Sequence, residues 1–328
     1  MEMRRLGQTD VKITPVGLGC WQFAQGKGFS GQIWPFMDQA TVTAVVEAAL
    51  KGGITWFDTA EAYGGGQSER SLSAALHRLE VKPGEVVLAT KWQPVGRRAA
   101  SIPKTIDARL DCLQGYPIDL FQVHNPWGFS SVASEMSEMA RLVRAGKIRT
   151  VGVSNFSARQ MAAASEALRA EGLGLASNQV SISLVDRRIE RNGVLAAARG
   201  LGVTLIAYSP LAQGLLTGRY HDDPALVQTL PFGRRSRLSP ASRNFSAKGL
   251  ARSAPLLDAL REIAAAHGAS RAQVALSWLI THYGETVAAI PGASRPEQAT
   301  ESAAAMDLRL EDKEMSRLDE VSRRVARL

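Results

Sequence analysis

The chain predicts an α/β fold, with eight short strands and their following helices closing into a (β/α)8 TIM barrel. Three observations carry this expectation. Short apolar runs alternate with longer stretches whose apolar residues recur three and four apart, the pattern of repeated strand-then-helix units. The length of 328 residues suits one such barrel as a single domain over 1–328. Polar residues stand at the ends of successive strands, spread along the chain rather than gathered at one turn.

The strands are expected at Val16–Gly19, Thr55–Asp58, Glu85–Lys91, Ile118–His124, Thr150–Ser154, Leu175–Ile182, Val203–Tyr208 and Thr286–Pro291. The helices between them are expected at Thr41–Lys51, Ser68–Leu79, Pro103–Leu113, Ser131–Ala145, Ala158–Arg169, Gly193–Arg199, Ala254–His267 and Pro296–Met306. Three additions lie outside this repeat: an N-terminal hairpin over Arg4–Pro15, a loop from Leu211 to Ser253 after the seventh strand, and a C-terminal helix near Asp312–Val325. That loop far exceeds the few residues usual for such connections and is expected to be functional. A doubly wound dinucleotide sheet is the competing arrangement. It requires Gly-x-Gly-x-x-Gly after the first strand. Gly17-Leu18-Gly19 runs into Cys20-Trp21-Gln22, and Gly64-Gly65-Gly66 has the wrong spacing, so both read as turns.

Composition narrows the function. Hydrophobic residues make up 45% and charged residues 21%, an ordinary globular balance. The formal charge of +8 favours an anionic ligand. Its densest cluster, Arg234, Arg235 and Arg237 with Arg243 behind, lacks the interleaved aromatics of a nucleic-acid surface. That cluster reads as a solvated loop or a phosphate clamp. Cys20 and Cys112 are too few for a disulfide framework, and the five histidines are dispersed, so no metal is expected. No apolar run reaches the ~18 residues of a membrane span. With no secretory leader to read, a reducing cytoplasm is the expected compartment.

Asp58, Lys91, His124, Ser154 with Asn155, Gln179, and Tyr208 with Ser209 end successive strands. Singly, each has an ordinary explanation: a turn cap, a solvated strand end, a satisfied histidine. Together they occupy the rim where barrel active sites are built. Asp58, Tyr63, Lys91 and His124 form a set suited to carbonyl reduction. Hydride reaches carbon while a proton reaches an oxygen that becomes alkoxide-like. Free tyrosine is a weak acid, and an adjacent ammonium lowers its pKa. Tyr63 is therefore the expected general acid, Lys91 its electrostatic tuner, Asp58 the lysine's partner and His124 the group that orients the carbonyl. Hydride must come from a cofactor. Trp21, Trp34, Trp92 and Trp127 are the expected pocket walls, whereas Trp56 and Trp278 read as structural.

These segments resemble the aldo-keto reductase family. The matching pieces are 57–64 (Phe-Asp-Thr-Ala-Glu-Ala-Tyr-Gly), Ala89-Thr90-Lys91, Val123-His124, Gly152-Val153-Ser154-Asn155-Phe156, Asn178-Gln179-Val180, Ala207-Tyr208-Ser209-Pro210-Leu211 and Ile290-Pro291-Gly292. They keep the family's order over nearly the whole chain. The resemblance implies the (β/α)8 barrel and a nicotinamide cofactor across its rim. It implies that Ser154, Asn155 and Gln179 hold the carboxamide and that Tyr208 stacks on the nicotinamide. Ser209, Leu211 and Arg219 would lie along the pyrophosphate, and Gly292, Ser294, Gln298 and Glu301 at the adenosine end. Arg295, just before a helix that Pro296 starts, suits a 2′-phosphate and favours NADP(H) over NAD(H). This chain departs from the family at Ser302, where asparagine is frequent, and at Ser181-Ile182, where larger residues are usual. It departs again at Asn125-Pro126, which separates His124 from Trp127.

The expected protein is thus an NADPH-dependent reductase of a small-molecule aldehyde or ketone, with no nucleic-acid or membrane partner. Rival readings are a cofactor-binding redox-sensing partner protein, known within that family, and a lyase using Lys91 as a Schiff-base amine.

Overall fold

The structure is a computed structural model describing residues 2–27, 34, 36–230 and 240–326, with the side chains of 240–242 excepted. The Arg234, Arg235 and Arg237 cluster lies outside the described residues. Two short strands, β1 (Arg4–Arg5) and β2 (Lys12–Ile13), form an antiparallel hairpin. Eight parallel strands follow: β3 (Leu18–Gly19), β4 (Trp56–Asp58), β5 (Val87–Trp92), β6 (Leu120–Val123), β7 (Thr150–Ser154), β8 (Leu175–Ser181), β9 (Thr204–Tyr208) and β10 (Val287–Ile290). Each pairs with the next in chain order. The seam between β3 and β10 closes the barrel. Gly17 N–H donates to Ala289 O at 2.8 Å, Gly19 N–H to Pro291 O at 3.0 Å, and Ala289 N–H to Pro15 O at 2.9 Å.

Strand side chains alternate between the barrel axis and the helical shell. Trp56, Ala89, Leu120, Ile206 and Ala288 fill the axis, joined by Leu6, Val11 and Ile13 of the hairpin. Phe57, Leu88, Trp92, Phe121 and Val123 belong to the larger core beneath the helices. The hairpin therefore plugs the N-terminal mouth, and the polar rim lies at the other end. Trp56 is the largest plug residue; its indole N–H donates to Thr14 O at 2.9 Å. Its ring takes the space beside Gly17, where a Cβ would lie 2.3 Å from the indole.

The shell comprises α1 (Gln39–Lys51), α2 (Gln67–Arg78), α3 (Ile102–Leu113), α4 (Val132–Arg144), α5 (Ala158–Ala170), α6 (Val194–Leu201), α7 (Ala247–Ala266), α8 (Arg271–His282), α9 (Pro296–Ala304) and α10 (Asp312–Ala326). Local chemistry sets several starts. Asp38, Ser131 and Ser246 each accept a first-turn N–H, and Ser157 and Ser270 form capping boxes with Gln160 and Gln273. Three sequence expectations change. Helix α8 was not expected, and α7 begins well before Ala254 because Ser246 caps it, with Pro255 inside it. The segment after β9 is also less irregular than expected: it holds short helical turns at Ala212–Thr217, Arg219–Asp222 and Pro224–Thr229. No helix among the described residues is long and apolar enough to cross a membrane.

Arg187, fully buried, ties the loop after β8 to the C-terminal helix. Its Nη2 donates to Glu190 at 2.7 Å and Asp319 at 2.6 Å, its Nη1 to Ser322 Oγ at 3.3 Å, and it lies over the Trp278 ring at 5.0 Å. Removing it leaves Glu190 and Asp319 with only the half-exposed Arg323, at 3.6 Å and 3.1 Å, as their cation. Arg187→Leu is expected to lower stability by roughly 2–4 kcal/mol, discounted for the solvent that reaches both acids. Urea unfolding measures this.

Candidate active site

Strand alternation aims Asp58, Lys91 and Gln122 at the axis from β4, β5 and β6, one layer above the apolar plug. Lys91 is wholly buried, and a buried ammonium is tolerable only when its protons are paired. Its Nζ lies 2.5 Å from Asp58 Oδ1, 2.8 Å from Thr59 O and 3.4 Å from Tyr63 Oη. The other carboxylate oxygen of Asp58 accepts from Gln122 Nε2 at 3.0 Å and Gln179 Nε2 at 2.8 Å. Tyr63 comes from the loop after β4. Its ring stacks on Trp21 at 5.7 Å and meets His124 edge-on at 5.6 Å.

The charges follow from this packing. Burial opposes the charge on Lys91, but Asp58 and then Tyr63 outweigh it, so its pKa lies above the ordinary lysine value. Burial raises the Tyr63 pKa, and Lys91 only partly offsets that. Lys91 thus acts in the expected direction but is outweighed by burial, so the net shift is upward and the phenol is held in its protonated form. Burial, then repulsion from Lys91, pushes His124 down to about 3, so its imidazole is neutral at physiological pH. Its Nδ1 is buried with no hydrogen-bond partner among the described residues. Cys20 is fully buried, and burial followed by the Asp58 charge holds its thiol well above the usual range.

Above this group lies a cleft of about 970 Å³, large enough for an extended ligand. Asp58, Tyr63, His124, Ser154, Asn155, Gln179, Tyr208, Ser209, Leu211, Arg219, Gly292, Ser294 and Gln298 line it, with Trp21 and Trp34. Other expected residues lie elsewhere. Lys91 stands behind Asp58 and Tyr63. Arg295 is exposed at the start of α9, and Glu301 lies within that helix. Trp92 falls on the outer face of β5, one residue from Lys91, and is buried with its Nε1 3.1 Å from Ser101 Oγ. Trp127 is 67% exposed, because Asn125-Pro126 carries it away from His124. Neither tryptophan lines the cleft.

The rim backbone is strained where polar groups must face inward. Asn155 (φ 60°) and Ser209 (φ 50°) sit in the left-handed region at the ends of β7 and β9. Asn155 donates from Nδ2 to Ser154 Oγ at 3.1 Å and accepts from the Tyr208 hydroxyl at 3.1 Å. Near α9, Gln298 Oε1 accepts from Ser294 N–H at 2.8 Å, which leaves the Gln298 amide N–H2 available. Arg219 lies over the Tyr220 ring at 4.5 Å and also donates to its hydroxyl. Sequence reasoning missed Gln22 and Gln93. Gln22 is 8% exposed, has no side-chain hydrogen bond among the described residues, and lines the cleft against Gly292. A buried amide left unpaired in a polar groove fits a ligand that completes it.

Comparison with known proteins gives the class. The model of the Aldo/keto reductase family matches residues 15–323. An uncharacterized oxidoreductase of Mycobacterium bovis is 38% identical over 315 residues, covering 95% of this chain and 90% of the relative. Chloroplastic pyridoxal reductase of Arabidopsis thaliana is 32% identical over 326 residues, covering 94% and 83%. Among solved structures, a glycerol dehydrogenase from Gluconobacter oxydans aligns with a TM-score of 0.81 at 28% identity, over 98% of this chain and 95% of that one. The chain belongs to the aldo/keto reductase family and is an oxidoreductase of that class.

The His124 shift makes stability depend on pH. An unfolded histidine takes up a proton near its ordinary value of 6.5, whereas the native one does so only at about 3. Between these values the unfolded state binds the extra proton, so this contribution to stability falls as pH drops through the window and is level above it. NMR of the His124 ring is expected to show no titration from about pH 5 to about pH 8. Denaturation of His124→Asn is expected to lose part of the acid sensitivity of the parent.

Proposed function

We propose that this chain is an NADPH-dependent carbonyl reductase, converting an aldehyde or ketone to its alcohol. The observation that carries this reading is the position of the fully buried Lys91 Nζ, between Asp58 Oδ1 and Tyr63 Oη. When bound, the reduced nicotinamide supplies the hydride. Ser154, Asn155 and the free amide oxygen of Gln179 would hold its carboxamide, since Gln179 Nε2 already serves Asp58. Tyr208 offers a ring face beside them. Ser209, Leu211 and Arg219 would follow the pyrophosphate, with Gly292, Ser294, Gln298 and Glu301 toward the adenosine. Arg295 and the start of α9 offer a guanidinium and free backbone N–H groups to a 2′-phosphate.

In this reading Tyr63 donates its hydroxyl proton to the carbonyl oxygen as that oxygen gains negative charge. The phenolate left behind is stabilised by Lys91, whose own charge is held by Asp58. Neutral His124 orients the carbonyl without adding a second cation. Trp21 and Trp34 give the substrate apolar walls. A raised Lys91 pKa is the opposite of what a Schiff-base amine needs, which weighs against the lyase reading. The compartment proposed is the cytoplasm, where buried unpaired thiols at Cys20 and Cys112 are stable.

Fluorescence titration with NADPH and NADH tests the cofactor. NADPH is expected to bind more tightly, and Arg295→Ala to weaken NADPH selectively; equal binding of both would remove the NADPH preference. An aldehyde panel that includes pyridoxal, the substrate named in the plant relative, tests the chemistry. Tyr63→Phe is expected to keep cofactor binding and lose roughly 10²–10⁴ in kcat. No cofactor binding at all would sink the reductase reading.

A further inference from the structure

Gln93 follows β5 on the same face as Lys91 and lines the cleft with Tyr63 and His124. The backbone sets β5 and β6 side by side here, with His124 N–H donating to Trp92 O at 3.0 Å. A terminal amide has a donor end and an acceptor end, so what it offers depends on which end is occupied. A chain of hydrogen bonds decides this for Gln93. It begins at the backbone, where Trp127 N–H donates to Asn125 Oδ1 at 3.1 Å. A backbone N–H can only donate, so Asn125 must turn its Nδ2 the other way. That Nδ2 donates to Gln93 Oε1 at 3.1 Å. The Gln93 oxygen is thereby occupied, and its Nε2 has no acceptor among the described residues. The backbone is held as well: Gln93 N–H donates to Glu61 Oε2 at 3.1 Å, and Arg97 Nη1 donates to Glu61 Oε1 at 2.7 Å.

We infer that Gln93 presents its amide N–H2 to the substrate and selects carbonyl compounds that carry an oxygen acceptor on the carbon next to the carbonyl. This rests on the reductase reading, which places the carbonyl between Tyr63 and His124. Asn125 is the positioning residue, 6% exposed and packed behind Gln93. The Asn125-Pro126 step, which moves Trp127 out of the pocket, is also what puts an orienting amide there.

Non-reducible amides can stand in for aldehydes, with binding read by ligand-observed NMR. Glycolamide is compared with propanamide, and 2-methoxyacetamide with butanamide; each pair exchanges an oxygen for a carbon at the same position. The parent protein is expected to favour the oxygen-bearing ligand of each pair by about five- to tenfold. Gln93→Leu is expected to erase both preferences. Asn125→Asp keeps the acceptor for Trp127 N–H but loses the donor to Gln93, so the amide turns and shows its oxygen to the cleft. The ether preference is then lost, while the hydroxyl ligand, which can donate, keeps its advantage. A general loosening of the pocket would not separate the two ligand pairs. Equal binding within each pair by the parent, unchanged ratios in Gln93→Leu, or loss of both or neither preference in Asn125→Asp overturns the inference. These ratios need no turnover, so failure of the reductase reading shows separately, as no cofactor oxidation with glycolaldehyde or propanal.

Discussion

The buried charge of Lys91 is the constraint around which the rest of the site is arranged. An ammonium with no access to water costs several kcal/mol unless a counter-charge and hydrogen bonds surround it. Asp58 supplies the charge and the Thr59 carbonyl a further acceptor. Asp58 in turn is buried, so its second oxygen needs donors, which Gln122 and Gln179 provide from β6 and β8. One ion pair thus recruits β4, β5, β6 and β8 into a single polar layer. Below it the barrel is apolar and plugged by the hairpin; above it the chain is open to a ligand. Replacing the pair by apolar residues would satisfy packing, so the pair at this depth fits the role proposed for the Tyr63 hydroxyl.

Much of this was legible in the sequence because barrel strands place their last inward residue at the rim. Asp58, Ser154 and Tyr208 end their strands and Lys91, His124 and Gln179 lie within two residues of a strand end, so chain order alone aligned them. The same alternation misled at Trp92. As an aromatic next to Lys91 it looked like a pocket wall, yet adjacent strand residues face opposite sides, and it packs under α3 against Ser101. Trp127 needed the path of the chain after Pro126, which no local pattern gives. Helix α8 was hidden for a different reason. From Ala272 to Ile280 it is buried nearly all round, with Gln273 the exception, so it lacks the polar face that makes helical periodicity visible. The helix expected from Ala254 starts earlier, because Ser246 caps it and the helix runs through Pro255. Gln22 and Gln93 were invisible because an uncharged amide gains meaning only from what occupies each of its ends.

The proton states of the site form one self-consistent set. Lys91 remains charged because Asp58 and Tyr63 outweigh its burial, while burial first and the Lys91 charge second keep His124 neutral. With its pKa pushed down to about 3, the imidazole is too weak a base to take the Tyr63 proton. Burial keeps Tyr63 protonated until something draws on it, so the resting site holds a loaded acid beside a fixed positive field. That field matters more as the phenol loses its proton than before, which is the differential that lowers a barrier rather than merely tightening binding. An oxygen accumulating negative charge beside Tyr63 would find one strong electrostatic partner, reached through the phenol. The groups lining the rest of the cleft are mostly amides, hydroxyls and aromatic rings. They can fix where a ligand lies without disturbing that field, so in the proposed reaction the chemistry would rest on Lys91 and the placing of the substrate on these neutral groups.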